Sequence, residues 1–172
     1  MRREPNPFWD YSLEAYAVAA VADACLTLQD RVGADVNLLL VCCWQGSLGH
    51  ALSKPFLRQA MAAVADWQHQ VVLPLRQVRR FIKAGIVAMP VRQTEQLRQT
   101  VAAMELDAEY LEQFLLAQYV AEKSFAVRRP KPEFVIAANL RHYLDLLNIP
   151  PEPSIQRQLE VLRAACRSSR AA

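Results

Sequence analysis

Asp35-Val36-Asn37-Leu38-Leu39-Leu40-Val41-Cys42-Cys43-Trp44-Gln45 is the stretch on which the fold turns. Asp35 is a good N-cap, because its side-chain oxygen can accept from one of the early N–H groups that lack an intrahelical partner. The residues behind it are apolar on nearly every side, whereas a surface helix keeps one wet face. The apolar run is also far short of the ~20 residues that a membrane span needs. A helix over residues 36–45 therefore belongs at the buried centre of a bundle. Gly46 and Gly49 are expected to end it. Cys42 and Cys43 are adjacent and seldom bond each other in that position, so on an apolar helix they behave as small hydrophobes.

Upstream, Phe8, Leu13, Tyr16, Ala17, Ala20, Val21, Ala24, Cys25 and Leu28 recur close to the 3.6-residue period, which predicts one helix over 8–32. Gly33 stops it, since glycine takes the left-handed conformation without steric cost. Downstream, Ser53 caps a third helix that runs through Trp67 towards Lys83, with Pro74 inside it. Proline removes one backbone hydrogen bond, so a kink or a break is expected there. Gly85 closes the segment, and residues 86–91 read as an apolar connector. Thr94 opens the longest helix, expected to reach Lys123. Within it Leu97, Val101, Met104, Ala108, Leu111, Leu115 and Tyr119 alternate four and three apart, a heptad-like seam. Core packing against neighbouring helices is the simpler reading of that seam, and a coiled-coil dimer the alternative. Arg128-Arg129-Pro130-Lys131-Pro132 reads as a hinge before two shorter helices, over 133–147 and 154–166.

The expected architecture is all-α: a single-domain bundle of about six helices. Residues 1–127 form the bundle, and 133–172 form a C-terminal helical pair docked on it. Strand signals are nearly absent, with no Asn-Gly or Asp-Gly turn. A chain of 172 residues can hide roughly 70% of the surface that its unfolded form exposes, so it can carry a real core. Its 53% apolar and 22% charged residues exclude a disordered chain. Cys25, Cys42, Cys43 and Cys166 lack Cys-x-x-Cys spacing, which suggests a reduced, cytoplasmic setting. Nothing behind Arg2 and Arg3 resembles a secretory signal, and no membrane association is expected.

Charge placement is the most informative functional feature. The formal net charge is only +3, too small to imply nucleic acid by itself. Residues 36–94, however, hold one acid, Asp66, against seven lysines and arginines. Arg76, Arg79, Arg80 and Lys83 stand at i, i+3, i+4 and i+7, one helix face, with Val71, Leu75, Val78 and Ile82 opposite. The stripe has three readings: a solvated face, a structural match to Glu105, Glu109 and Glu112 on the long helix, or an anion site for phosphate groups, nucleic acid or an acidic partner. Gln29, Asp30 and Asn37 are read as a buried polar network, because Asn37 sits in the apolar run and needs a partner; Gln29, Asp30 or Arg76 could serve.

Catalytic and metal motifs are not found. His50, His69 and His142 have no second ligand at helical spacing, and Asp66-Trp67-Gln68-His69 occurs once where a di-iron bundle needs paired motifs. A Gly-x-Ser-x-Gly elbow, a Walker-type loop and a Gly-x-Gly-x-x-Gly loop are all missing. A buried Cys42 has its pKa raised, which argues against a nucleophile. The reading therefore leans away from an enzyme and assigns no catalytic residue, metal or cofactor. Trp44 and Trp67 read as core, while Trp9, beside Phe8 and Tyr11, either clamps the N-terminus or offers an aromatic contact.

Phe8-Trp9, Leu28-Gln29-Asp30, the run from Asp35 to Leu40, Trp44, Trp67 and Val72-Leu73-Pro74-Leu75-Arg76 with Arg79-Arg80 together resemble a proteobacterial family of small all-helical cytoplasmic proteins, catalogued only as a domain of unknown function. The likeness is dense from Phe8 to Lys83, thinner through the long helix, and stops near Glu122. It implies a bacterial intracellular helical protein and brings no activity, cofactor or site residue. The expected function is a non-enzymatic protein-interaction or regulatory module, with an unidentified protein or a second copy as partner. Its contact surfaces would be the basic stripe, the 86–91 connector and the N-terminal aromatics. The alternative is a bundle that binds a small anionic ligand or nucleic acid through Arg76, Arg79, Arg80 and Lys83, nucleic acid being the less favoured.

Overall fold

The computed structural model of the chain describes residues 3–85, 89–123, 125 and 131–166. These residues form eight α-helices and no strand: α1 (Pro7–Tyr16), α2 (Ala19–Val32), α3 (Val36–Ser47), α4 (Lys54–Trp67), α5 (Leu73–Lys83), α6 (Val91–Ala121), α7 (Pro132–Leu146) and α8 (Pro153–Ala165). The all-α bundle is as expected, but with two more helices, because two long segments divide. The first bends by 101° between α1 and α2. Val18 is extended there, and its carbonyl accepts from the N–H groups of Val21 and Ala22 to start the next helix. A straight helix over 8–32 would be about 37 Å long and could not lay both ends on one small core. Bent, α1 packs on α3 and α6 while α2 packs on α8. At the second division, α4 passes into α5 through a π-helical turn, Gln68–Val72. The wider turn absorbs the hydrogen bond that Pro74 cannot make, so the helix continues in a shifted register.

The central helix behaves as its composition dictates. Asp35 accepts from the N–H of Asn37 at 2.8 Å, and every residue from Asn37 to Gly46 is buried. Gly46 lies inside α3 and does not end it. Its role is close approach: a Cβ there would stand 2.6 Å from Ile136 Cγ1 and 2.7 Å from Ile136 Cα on α7. The crossing is held by Asn139, fully buried, whose Oδ1 accepts from Leu52 N at 2.8 Å and whose Nδ2 donates to Cys42 O at 3.2 Å and His50 O at 3.0 Å. All four cysteines are buried and free. Gly33 caps α2 with φ +67°, as its position predicts.

The N-terminal aromatics are core rather than contact surface. Phe8 stacks on Trp44 at 5.1 Å, and Trp9 meets the Tyr110 ring edge-on at 5.3 Å beneath the Arg3 guanidinium. The long helix starts three residues earlier than expected, so Val91 belongs to α6. Residues 86–88 of the connector, 128–130 of the hinge and 167–172 lie outside the described residues. Among the described residues no single helix is long and apolar enough to cross a membrane.

Candidate functional site

Helix α5 is built the opposite way round from an ordinary surface helix. Its charged face turns inward, onto α6 and α2. Arg76 is 8% exposed; its Nε donates to Glu105 at 3.0 Å and its Nη2 to Glu109 at 2.6 Å. Arg79 grips both oxygens of Glu105 through Nε and Nη2. Arg80 Nη2 donates to Asp30 on α2 at 2.7 Å, in an exposed pair. Lys83 projects into solvent near the hairpin tip. Of the face expected to bury, Ile82 does so, but Val78 is 48% exposed, and Phe81 beside it is 67% exposed.

The match of stripe to stripe holds for Glu105 and Glu109 and fails for Glu112. Burial pushes the Glu105 carboxyl up, but the Arg79 and Arg76 guanidiniums outweigh it and hold the group below the ordinary range. At Glu109 burial wins over Arg76 and the pKa rises, helped by the neighbouring Glu105 and Asp35 charges. Glu112 is 1% exposed and neither of its oxygens completes a hydrogen bond. Burial and then the Asp35 charge push it up to about 10, so it carries its proton at neutral pH. Asp35 is raised as well, chiefly by burial.

Gln29, Asp30 and Asn37 do not come together as one network. Asn37 is buried, but its Oδ1 accepts from Gln113 Nε2 on α6 at 2.8 Å. Asp30 is exposed and tied to Arg80, and Gln29 is half-buried. Gln113 is the residue that sequence reasoning missed: it follows Glu112 on a helix where the acids drew the eye, and only its placement opposite Asn37 marks it.

Two cavities flank Arg76. One, of about 230 Å³, lies between α1, α2, α3, α5 and α6, with Asn37, Glu109 and Gln113 in its floor. The other, of about 480 Å³, lies between the α2–α3 turn, α4 and α7, and is lined by Asp35, Gln68 and Tyr143. The Tyr143 hydroxyl there accepts from Asp35 N at 2.8 Å. Among the described residues no group of three or more His, Cys, Asp or Glu is placed to hold a metal ion.

The heptad-like seam of α6 is split rather than buried whole. Val101 and Ala108 face the bundle, whereas Leu97, Met104, Leu111 and Leu115 are exposed. With α5 this makes an antiparallel helical hairpin that shows apolar side chains on both members and turns Arg76 and Arg79 inward.

Fold and charge arrangement together define an all-helical bundle with an ion-paired interior. The chain belongs to a family described as a protein of unknown function, DUF2390, whose model matches residues 7–116. That match spans α1 to α5 and most of α6, and so contains the whole arginine–carboxylate cluster but not α7 and α8. No curated protein and no solved structure is significantly similar.

Proposed function

We propose that this protein is a non-enzymatic interaction module that docks on another protein through the α5–α6 hairpin. The orientation of α5 carries the reading. Pro74, Gln77, Val78 and Phe81 fall on one side of the helix, away from the arginines, and a phenylalanine two-thirds in water is an uncompensated apolar surface. Covering such a ring stabilises a complex by about 1.5–3 kcal/mol. The partner that fits is an amphipathic helix with an apolar stripe and acidic flanks. Lys83, Arg92 and the exposed part of Arg80 are cations on the surface of the same hairpin, and complementary charge would steer acidic flanks towards it. Anion or nucleic-acid recognition by the stripe is less well supported, since Arg76, Arg79 and Arg80 already donate to Glu105, Glu109 and Asp30.

Two labelled helical peptides with one leucine stripe, flanked in one case by glutamates and in the other by lysines, test this by fluorescence anisotropy. The acidic peptide is expected to bind, and Phe81→Asp to weaken it at least about tenfold (about 1.4 kcal/mol) with the melting temperature unchanged. Equal binding of both peptides, or insensitivity to Phe81→Asp, overturns the reading. A dimer by light scattering that Phe81→Asp dissociates would give the surface to a second copy instead.

A further inference from the structure

The smaller cavity carries a separate inference. Its mouth is apolar: Leu13, Tyr16, Leu26 and Leu106, contributed by α1, α2 and α6, are all exposed and all line it. Its floor is polar and accepts hydrogen bonds. Gln113 is 4% exposed, its Nε2 is engaged by Asn37, and its Oε1 has no partner. Buried carbonyl oxygens of this kind are nearly always satisfied, and leaving one unmade costs about 1–3 kcal/mol. Glu109 Oε1 accepts from Arg76, while Oε2 accepts no hydrogen bond among the described residues.

The local charge balance points the same way. With Glu112 holding its proton, three carboxyls (Asp35, Glu105 and Glu109) stand around two guanidiniums, Arg76 and Arg79, which line the cavity beside Glu105 and Glu109. The unpaired buried side-chain atom on a residue lining this cavity, Gln113 Oε1, is an acceptor. What the cavity lacks is a donor for that oxygen, and the carboxyls outnumber the guanidiniums by one.

We propose that this cavity binds a small organic amine: an apolar body held between Leu13, Leu26 and Leu106, and an ammonium donating to Gln113 Oε1 and Glu109 Oε2. The arginines that mark the site in the sequence thus hold the carboxylates in place rather than meet the ligand, and the ligand has the opposite sign from the one a basic stripe suggests. The volume of about 230 Å³ lies below the ~300–1,000 Å³ of drug-sized sites, so the amine is a compact one.

Calorimetry and amide chemical-shift mapping on the full chain, with hexylammonium, hexanol and hexanoate as probes, test this. Hexylammonium is expected to bind at least about tenfold more tightly than hexanol (about 1.4 kcal/mol), and hexanoate not at all, with shifts centred on Leu13, Leu106 and Gln113. Leu106→Lys places a competing cation at the mouth without touching the core and should abolish binding while the melting temperature stays. Glu109→Gln should remove the preference for the ammonium over the alcohol. Equal binding of ammonium and alcohol, preference for hexanoate, shifts centred on Met61 and Gln68 in the larger cavity, or indifference to Leu106→Lys would each overturn the proposal.

Discussion

Replacing Glu105 by glutamine removes one charge and leaves the side chain's shape intact, so its effect isolates the arginine lock. Glu105 and Arg76 are both more than nine-tenths buried, and Glu105 also holds Arg79, which is more exposed. Breaking a buried pair by removing one partner costs about 3–5 kcal/mol, because the survivor is left uncompensated. Here two features reduce that figure. Arg76 keeps Glu109 at 2.6 Å, and Arg79 can turn to water. The lower end, about 3 kcal/mol, is expected. For a chain of this size each kcal/mol moves the melting temperature by roughly 2–4 °C, so Glu105→Gln should lower it by about 6–12 °C. Circular dichroism at 222 nm, with urea unfolding alongside, measures it. The double variant Glu105→Met with Arg76→Met should be less destabilised than the sum of its singles, since apolar replacement of a buried pair is often neutral. A loss below about 2 °C, or strict additivity, would show that the pair does not hold α5 against α6.

Glu112 gives a pH signature of the opposite sign from Glu105. Its pKa is raised from 4.5 to about 10 in the folded chain. The folded state therefore keeps a proton that the unfolded state releases, and stability must fall as pH rises through that interval. Glu112→Gln should flatten this decline and raise the melting temperature at pH 8, whereas an unchanged pH profile would refute a protonated Glu112. Gly46→Ala should destabilise by at least about 2 kcal/mol, through the overpacking of α3 against α7. Adding Ile136→Ala should not restore stability, because the Ile136 backbone at 2.7–2.8 Å remains in the way; full rescue in a urea titration would show that only a side chain had to yield.

How much of this was legible in the sequence depends on whether a feature is local or relational. The central helix was legible because burial on all sides requires apolar residues on all sides, and Val36 to Trp44 supply them whatever packs around it. The bend at Val18 was not, because the apolar period runs smoothly from Phe8 to Leu28. What breaks the helix is the presence of separate partners for its two halves, α6 for one and α8 for the other. Gly46 reads as a stop on local propensity alone; only the passage of Ile136 explains a glycine inside a helix. The seam of α6 was legible as a period but not as a destination: Val101 and Ala108 meet the bundle, and Leu97, Met104, Leu111 and Leu115 do not.

The α5 stripe shows where such reading ends and why. Spacing places Arg76, Arg79, Arg80 and Lys83 on one face, and an isolated amphipathic helix turns that face to water. The sign of the choice is set thirty residues away. Glu105 and Glu109 are four apart on α6 and meet Arg76 and Arg79 edge to edge, while Asp30 takes Arg80 from the other side. Arg76 and Arg79 satisfied against α6, with Arg80 tied to Asp30 at the surface, leave the opposite face of α5 towards water, and Phe81 lies on it. The same exchange leaves the interior with more carboxyls than guanidiniums, so one inversion of a single short helix produces both an apolar outer surface and an acceptor-rich cavity behind it.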